Sequence, residues 1–474
     1  MIGATFDRVG SAAALAVAIL GPLLSPVAAR AQSIDQTLIQ AYRNNPDLNS
    51  ARAGVRVANE GVPAALSGYR PSVTATITAS GQYSEAGSGI TRDGTARQQP
   101  GFHSSTRSFP RSATLTATQT IYDGNRTANS VRQADQNVMV ARETLRNSEQ
   151  TVLLASATAH MNVLREQATL DLRKRAVEVF REQLRATRDR FQVGEVTRTD
   201  VALAESSLQG ALATQSAAES DLANSRAVYM QQVGTAPGRL NPARTVERLL
   251  PRSLDGAIMS GQSEHPAIRG ARHGADAQML QVRIAESALY PTLGISASLF
   301  RGADQSQAYQ VSSASIGATL TIPIFANGGR DYATIRAAKE GYGQRRIQIE
   351  TATASVRQAV VQSWAALQAA RSQIQAAEEQ VRAQTIAVNG IREEYKVGQR
   401  TIIDVLNATQ NLFTARVALV QAQRDRVVLS YSVLAAMGRL NAQRLALHTE
   451  IFDPTQHYQQ VRDLWMGVRT PDGR

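Results

Sequence analysis

The chain has 474 residues, a formal net charge of +12, no cysteine and only 5% aromatic residues. The absence of cysteine excludes a disulfide framework, a thiolate metal site and a lipidated N-terminal cysteine. Few aromatic residues, with abundant Ala, Gln and Arg, are poor material for several globular cores but suit long helices packed through small side chains.

Residues 1–31 have the pattern of a secretory signal peptide. A charged start at Arg8 precedes an apolar run from Ala12 to Leu24, and Ala29-Arg30-Ala31 provides an A-x-A cleavage site. The run is short for a membrane span and is interrupted by Gly and Pro, so we expect a removed signal peptide rather than an N-terminal anchor. Export, together with Arg and Lys spread along helices, argues against nucleic acid as a partner.

The rest of the chain is mostly one unit repeated in tandem. Residues 33–77 align with residues 253–297 at an offset of 220, and from Arg126 onward the offset is 204. The predicted units are a first repeat over residues 32–240, a second repeat over residues 241–440, and a C-terminal tail over residues 441–474 that has no repeat partner.

Each repeat is predicted to begin with a short helix and a longer one that opens at Pro46 or Pro266, because Pro is favoured at the first helical position. Later in each repeat, a third and very long helix carries an apolar residue at every seventh position, which indicates a coiled-coil seam. The seam residues are Val163, Leu170, Val177, Leu184 and Phe191 in the first repeat, and Ile374, Val381, Val388 and Tyr395 in the second.

Between these helices, four segments alternate small or apolar residues with Ser, Thr or Gln, which predicts β-strands. No apolar stretch after residue 31 approaches the roughly 20 residues of a spanning helix, so any membrane-embedded part must consist of strands. One apolar face and one hydroxyl-bearing face fit a transmembrane barrel with a wet lumen; a soluble sandwich is the alternative. The predicted strands are residues 72–83, 112–122, 292–300 and 313–325, joined in pairs by polar segments at residues 85–110 and 302–312.

Four strands cannot close a barrel, because known single-chain barrels have at least about eight strands and an open edge cannot face lipid. Two chains would supply eight strands around an interior filled by side chains, whereas three would supply twelve and leave room for a pore. A trimer is therefore favoured for a conduit.

The very long helices end in two similar stretches, FQVGEVTRTDV in the first repeat and YKVGQRTIIDV in the second. Gly194 and Gly398 can take the left-handed conformation that ends a helix, and Thr199 or Thr401 can supply the side-chain oxygen that starts the next one. Each stretch is therefore predicted to be the tip of a helical hairpin. The predicted tips are residues 193–200 and 397–404.

The signal peptide, the duplication, the paired Ser- and Thr-rich strands and the stretch YKVGQRTIIDVLNATQNLF together resemble the TolC family of outer-membrane channels. The resemblance covers nearly all of residues 33–440. It implies a mainly α fold with β-structure: a homotrimeric twelve-stranded outer-membrane β-barrel, four strands per chain, continuous with a long periplasmic α-helical barrel. It also implies a passive exit duct for type I secretion or multidrug efflux, working with a periplasmic adaptor and an inner-membrane ABC or RND transporter.

The resemblance further implies a gate at the periplasmic end, closed by polar links between neighbouring hairpins. Tyr395 and Arg400 on the second hairpin, with Thr199 and Asp200 on the first, match the gate positions. A phenol and a guanidinium donate while a carboxylate accepts, so these links are charge-assisted bonds that a partner could break. The alternative is that these residues are caps and surface ions of a turn.

Two further sets of residues match positions of the family. Asp404 matches an acidic ring that lines the constriction, and Asn407 stands where a second acid often lies, so a trimer would keep three carboxylates rather than six. The tip residues match the surface that meets the adaptor, with plain helix-turn geometry as the alternative. These tip residues are Val193, Gly194, Val397 and Gly398.

Motifs of catalysis are missing from the sequence. There is no phosphate-binding loop, H-E-x-x-H motif or nucleophile elbow, and the six His residues are scattered. The N-G-G stretch at residues 327–329 lacks the remaining glycines and the Lys of a nucleotide loop. We expect no enzyme, metal or cofactor. The main alternative function is a periplasmic coiled-coil adaptor or scaffold without a barrel, with a periplasmic enzyme as a more distant one.

Overall fold

The computed structural model describes residues 32–87, 103–303, 310–325 and 327–473. The expected signal peptide lies outside the described residues, as does much of the polar segment after residue 87. The described part is mainly helical, with one four-stranded and one two-stranded antiparallel sheet. None of the helices in these ranges combines the length and the apolar character needed to cross a membrane.

The elements occur in the same order in both repeats, except for an extra β-hairpin in the first. The first repeat contains α1 (Ile34–Asn44), α2 (Pro46–Leu66), β1 (Ser72–Ala79), β2 (Gln82–Gly87), β3 (His103–Ser108), β4 (Arg111–Tyr122), α3 (Arg126–Gln192) and α4 (Arg198–Val233). The second contains α5 (Leu254–Glu264), α6 (Pro266–Glu286), β5 (Thr292–Ala303), β6 (Gln310–Thr321), α7 (Arg330–Lys396) and α8 (Ile402–Ala436), and α9 (Pro454–Val461) lies in the tail.

The junction between the short and the longer helix is built in the same way in both repeats. Asn45 Oδ1 accepts hydrogen bonds from the first amides of α2, and His265 Nδ1 accepts one from the amide of Ala267 at 3.1 Å. Pro46 and Pro266 follow these caps at the first helical position, where a missing N–H removes no helical bond.

The very long helices α3 and α7 have 67 residues each, so each reaches roughly 100 Å at about 1.5 Å per residue. Their partners α4 and α8 have 36 and 35 residues and cover about half of that length. Along the other half, α6 takes over as a neighbour of α3. Gln133 Nε2 on α3 donates to Gln281 Oε1 on α6 at 2.9 Å, and His273 on α6 contacts Gln136 Oε1 at 2.9 Å.

The seven-residue seam of α3 is confirmed by burial. Val163, Leu170, Val177 and Leu184 are all buried. Phe191, the last seam residue, lies in the final turn of α3 next to the tip and is 44% exposed. The seam therefore holds α3 to its neighbours along the half of the helix that leads to the hairpin tip, and it ends where the turn begins.

The four-stranded sheet has the order β1-β4-β5-β6 with every neighbouring pair antiparallel. Its register places apolar residues side by side, as in the row Val73, Ala117, Ala297 and Ile316. We call this side the apolar face. The opposite side, the hydroxyl face, has cross-strand hydrogen bonds between Ser72 and Thr118, Thr78 and Ser112, and Ser298 and Ser315.

Three of the four predicted strands had wrong boundaries. The strand predicted over residues 72–83 ends at Ala79, and β2 pairs with β3 in a separate sheet, so the polar segment at 85–110 is partly folded. The break coincides with Pro110, which has no N–H to donate to a ladder. The third strand continues from residue 300 to Ala303, and the fourth occupies Gln310–Thr321 rather than 313–325, ending before Pro323.

The start of α4 also differs from the sequence prediction, which assigned the cap to Thr199. The cap is Thr197, whose backbone is extended (φ −88°, ψ 164°) and whose Oγ1 accepts from the Asp200 amide at 3.3 Å. Thr199 is already inside the helix and is exposed. In the second repeat the cap is Thr401, as predicted. A cap needs extended backbone just before the helix, and only Thr197 has it here.

A buried hydrogen-bonded chain joins α1, α3 and α4 to the connection between the repeats. His160 Nε2 lies 3.1 Å from the Asn241 carbonyl, which can only accept, so Nε2 carries the proton. Nδ1 then accepts from the Thr37 hydroxyl at 2.9 Å, and Tyr229 donates to Thr37 at 3.1 Å. Burial lowers the pKa of His160, because the charged imidazolium loses its hydration there.

This chain predicts a loss of stability at mildly acidic pH. Below the ordinary pKa of 6.5, the unfolded state binds a proton that folded His160 does not take up. Stability should therefore fall as the pH drops below that value, by at most about 1.4 kcal/mol per pH unit for this group. Thermal unfolding of the detergent-solubilised protein across this range should show a lower midpoint at lower pH.

The matched variants are His160→Gln and His448→Gln. His448 is exposed, and its replacement is the control for the removal of one histidine. His160→Gln should flatten the curve, and a slope equal to that of the unchanged protein would contradict the assignment.

The corrected cap predicts unequal effects of two neighbouring threonines. Thr197→Ala should destabilise the first turn of α4 by about 1 kcal/mol, because it removes the cap. Thr199→Ala should have little effect, since its side chain is exposed. Hydrogen exchange of the amides of residues 197–204 should be faster only in Thr197→Ala; equal exchange in the two variants would be inconsistent with this cap.

Candidate functional site

The two hairpin tips lie where the sequence predicted them and have the same backbone geometry. Gly194 and Gly398 both have φ of 81°, a left-handed conformation that favours glycine. After each glycine, the next amide donates back to a carbonyl five residues earlier, which closes the helix end. These bonds are Glu195 N to Arg190 O and Gln399 N to Glu394 O, each 2.9 Å long.

Both predicted acidic residues of the tips form capping boxes. Asp200 Oδ2 accepts from the amide and the hydroxyl of Thr197, each at 2.8 Å. Asp404 Oδ2 accepts in the same way from Thr401, at 3.0 Å from the amide and 2.7 Å from the hydroxyl. Each carboxylate therefore satisfies a backbone donor that its helix would otherwise leave unpaired.

The surroundings of Asp404 favour its charged form. The Thr401 amide, then the Thr401 hydroxyl and the nearby Arg400 charge, lower the pKa of this carboxyl. Asn407 is exposed and lies three residues further along α8, so the two side chains are neighbours on one side of the helix. Asp404 and Asn407, the residues predicted to line the constriction, thus form a polar patch that carries one negative charge per chain at neutral pH.

The four predicted gate residues do not meet within one chain. Arg400 Nε donates to Glu394 Oε2 at 2.8 Å, across the turn of its own hairpin. Among the hydrogen bonds of the described residues, none joins Tyr395 or Arg400 to Thr199 or Asp200.

Tyr395 instead contacts the first hairpin through Arg190, whose guanidinium lies 4.8 Å from the ring centroid. The ring borders a cavity of about 440 Å³ between α3 and α7, which Thr187 and Asn389 also line. The Tyr395 hydroxyl oxygen is buried, and within the described ranges it has no hydrogen-bond partner. Such a group is costly unless something else supplies the bond.

Sequence reasoning missed three residues of the tips: Thr197, Arg190 and Glu394. The repeat offset could have identified all of them, since Thr197 corresponds to Thr401 and Arg190 to Glu394. Arg190 and Glu394 carry opposite charges, although they occupy equivalent positions in the two repeats. The first tip holds Arg190 near Glu195 at 3.9 Å, whereas the second pairs Glu394 with Arg400.

The tips have apolar ends and are packed against each other above the turns. Val193 and Val397 occupy equivalent positions and are each 72% exposed. Behind them, Phe180 on α3 belongs to one buried cluster with Leu406 and Phe413 on α8. The two hairpins of one chain therefore stand side by side, with α3 and α8 in contact and a valine at each end.

In the described ranges, no group of three or more His, Asp or Glu side chains is placed to hold a metal ion. The carboxylates and guanidinium groups of the tips described above take part in caps and ion pairs, whereas the Tyr395 hydroxyl has no hydrogen-bond partner within the described ranges. Their arrangement fits a surface that makes and breaks contacts better than a site that performs a reaction.

Comparison with known proteins agrees with this architecture. The family model described as outer membrane efflux protein matches residues 37–235 and 258–439. The outer membrane efflux protein BepC of Brucella suis is 40% identical over 466 residues, covering 97% of each chain. The outer membrane protein TolC of Escherichia coli is 28% identical over 448 residues, covering 90% of this chain and 86% of TolC.

A solved structure shares the fold. The Campylobacter jejuni CmeC outer membrane channel superposes with a TM-score of 0.73 at 17% identity and covers 91% of this chain and 89% of CmeC. None of these comparisons supports the alternative of an adaptor without a barrel. The chain belongs to the outer membrane efflux protein family: it is a TolC-like exit channel of the Gram-negative outer membrane with a periplasmic helical tunnel, and not an enzyme.

Proposed function

We propose that the chain works as a homotrimer, in which three four-stranded sheets close into one twelve-stranded barrel. The observation that carries this proposal is the pair of free edges. In the order β1-β4-β5-β6, β1 and β6 each have a neighbour on one side only. In lipid, unpaired N–H and C=O groups along two edges are costly, so another chain must cover them.

The strand directions allow that closure with copies of the same chain. Since every neighbouring pair is antiparallel, β1 and β6 run in opposite directions, and β6 of one protomer can continue the alternation beside β1 of the next. Three copies give twelve strands and a lumen, whereas two give eight strands around a filled interior.

The two faces of the sheet support a barrel with lipid outside and water inside. Side chains on the apolar face are highly exposed in a single chain, at 84% for Ile77, 79% for Ile316 and 59% for Leu320. Such a face needs an apolar environment. Arg111 and Arg301 extend this face at the end of the strands remote from the helices, where lipid headgroups would meet them. The hydroxyl face then lines the lumen.

In the trimer the helices would form a tunnel gated at its tips. Tyr395 and Arg400 of one protomer would meet Thr199 and Asp200 of the next. Two local features support this arrangement: the Tyr395 hydroxyl lacks a partner within its own chain, and Arg400 retains donors beyond its bond to Glu394. A neighbouring acceptor would satisfy both groups and would hold the tips together.

Asp404 and Asn407 would form the constriction ring just behind the gate. Three Asp404 carboxylates, kept ionised by their Thr401 hydrogen bonds, would attract cations, and the three Asn407 amides would add no charge. The ring would therefore be weakly cation-selective.

The tip surface of Val193, Gly194, Val397 and Gly398 would dock a periplasmic adaptor. Both valines are exposed and equivalent, so a trimer would present six similar apolar contacts around the tunnel mouth. An inner-membrane ABC or RND transporter would supply the energy and select the cargo. The channel itself would act as a passive exit duct for type I secretion or multidrug efflux.

Removing the gate links should open the tunnel. The double variant of Tyr395→Phe and Arg400→Ser should raise single-channel conductance in planar bilayers severalfold, because the tips lose donors to the neighbouring protomer. The matched control is Lys396→Ser, which removes an exposed cation that pairs with Glu393 of its own hairpin. The control should conduct like the unchanged channel, whereas a double variant with unchanged conductance would argue against this gate.

A further inference from the structure

The C-terminal tail has no counterpart in the first repeat, and it packs along α2. His457 on α9 lies 3.3 Å from Asn59 on α2, measured from Nδ1 to Nδ2. The Tyr458 hydroxyl donates to Asp135 on α3 at 2.8 Å, and Val461 is fully buried. These contacts hold the tail against the ends of α2 and α3 that are nearer to the sheet.

Beyond α9, the tail reaches the foot of the sheet. Arg70 Nη1 donates to the Leu464 carbonyl at 2.7 Å, and the same guanidinium lies 4.9 Å from the Trp465 ring centroid. Arg70 stands two residues before β1 begins. Arg70 lies eleven positions after Asn59 in the sequence, and eleven positions span roughly 16 Å along a helix. The tail therefore runs along α2 from His457 to Trp465 and reaches the segment that connects α2 to β1.

At that level the tail presents apolar side chains and makes no core with them. The exposed fractions are 47% for Leu464, 65% for Trp465, 89% for Met466 and 100% for Val468. Exposed apolar residues that are this close in sequence are unusual on a surface that faces only water. Arg462 and Arg469 flank them.

The contacts just before β1 show the level that the tail reaches. Gln119 lies opposite Ile295 in the register, so its side chain shares the apolar face. Its Nε2 donates to the Tyr69 carbonyl at 2.7 Å, which joins the helical end of this face to the segment just before β1. Tyr69 and Tyr290, each 53% exposed, mark the same level in the two repeats. Trp465, which contacts Arg70, therefore lies at the level where the sheet begins.

We propose that residues 464–468 insert into the headgroup region of the inner leaflet of the outer membrane and act as an interfacial anchor. The inference rests on the proposed lipid contact of the apolar face. Trp places an apolar ring and a polar N–H at a membrane boundary, and Met and Val add apolar contact. The Arg70, Arg462 and Arg469 guanidinium groups would meet lipid phosphates while their stems stay in apolar surroundings.

The anchor would give the tail a mechanical role. One end is fixed to α2 and α3 through α9, and the other would be fixed in lipid. The segment would therefore keep the sheet-proximal ends of the helices at a fixed distance from the bilayer. The barrel would then not be the sole membrane attachment of the helices.

Tryptophan fluorescence can test the anchor in the full-length protein, because the chain has only two Trp residues. Trp364→Phe leaves Trp465 as the single probe, and Trp465→Phe leaves Trp364, which packs against the core of α3, α7 and α8. Both variants would be reconstituted into phospholipid vesicles with bromine either near the headgroup or deep in the acyl chain. Trp465 should lose intensity mainly with shallow bromine, whereas Trp364 should not respond to bromine at either depth.

A third variant separates failure of this inference from failure of the proposed function. Ile316→Trp, in a chain that also carries Trp364→Phe and Trp465→Phe, reports on the middle of the apolar face and should be quenched by deep bromine. Quenching of the probe at position 316 without quenching of Trp465 would overturn the anchor alone. Quenching of neither probe would overturn the barrel orientation as well.

The competing occupant of this surface is a neighbouring protomer. Phe325 follows β6 and is 73% exposed, and closure of the barrel would bring it near the foot of β1. Since the chain has no cysteine, Trp465→Cys with Phe325→Cys is a clean pair. An intermolecular disulfide in high yield, together with unquenched Trp465, would assign the segment to the protomer seam and overturn the lipid anchor.

Discussion

The need to satisfy every backbone N–H and C=O group inside a lipid bilayer is the constraint on which this molecule depends. A single chain leaves two such edges, on β1 and on β6, and its apolar face is bare. In the proposed homotrimer, copies of the chain solve both problems because they close a ring within the membrane. Once the sheets close, the helices that leave them must also form a ring, because each long helix continues from the end of a strand.

The duplication makes that ring uniform. Each repeat contributes one very long helix of 67 residues and two shorter ones packed along it. The repeats differ at the tips. At the tips, the exchange of Arg190 for Glu394 between equivalent positions gives the two hairpins opposite charge patterns, which suits alternating contacts between unlike neighbours.

Periodic features of the fold could be predicted from the sequence, because burial on one face imposes a period. The coiled-coil seam through Val163 and Leu170 and the alternating strands follow from such periods, and the turns at Gly194 and Gly398 follow from a backbone conformation that favours glycine. The extra β2–β3 hairpin could not be predicted, since all of β2 is exposed and no periodic burial marks its strands.

The candidate site was predicted only in part, for a similar reason. Thr197 and Thr199 are the same residue type two positions apart, so residue type alone does not identify the cap. The cap is the threonine with extended backbone, Thr197, which corresponds to Thr401 in the repeat alignment. The contact of Arg190 with Tyr395 joins two hairpins about two hundred residues apart, and the docking of Trp465 on Arg70 joins the tail to the start of β1. Such contacts depend on tertiary packing and leave no local pattern.

The most direct test of the central claim is to cross-link the two free edges. Val73 on β1 and Leu320 on β6 both lie on the apolar face near the helical end, so Val73→Cys with Leu320→Cys and a short flexible bis-maleimide should join neighbouring chains. Val73→Cys with Ala117→Cys, a pair within one chain, is the control and should give no multimers. The account predicts covalent dimers and trimers in the outer membrane and nothing larger; monomers alone, or a series that continues past three chains, would contradict it.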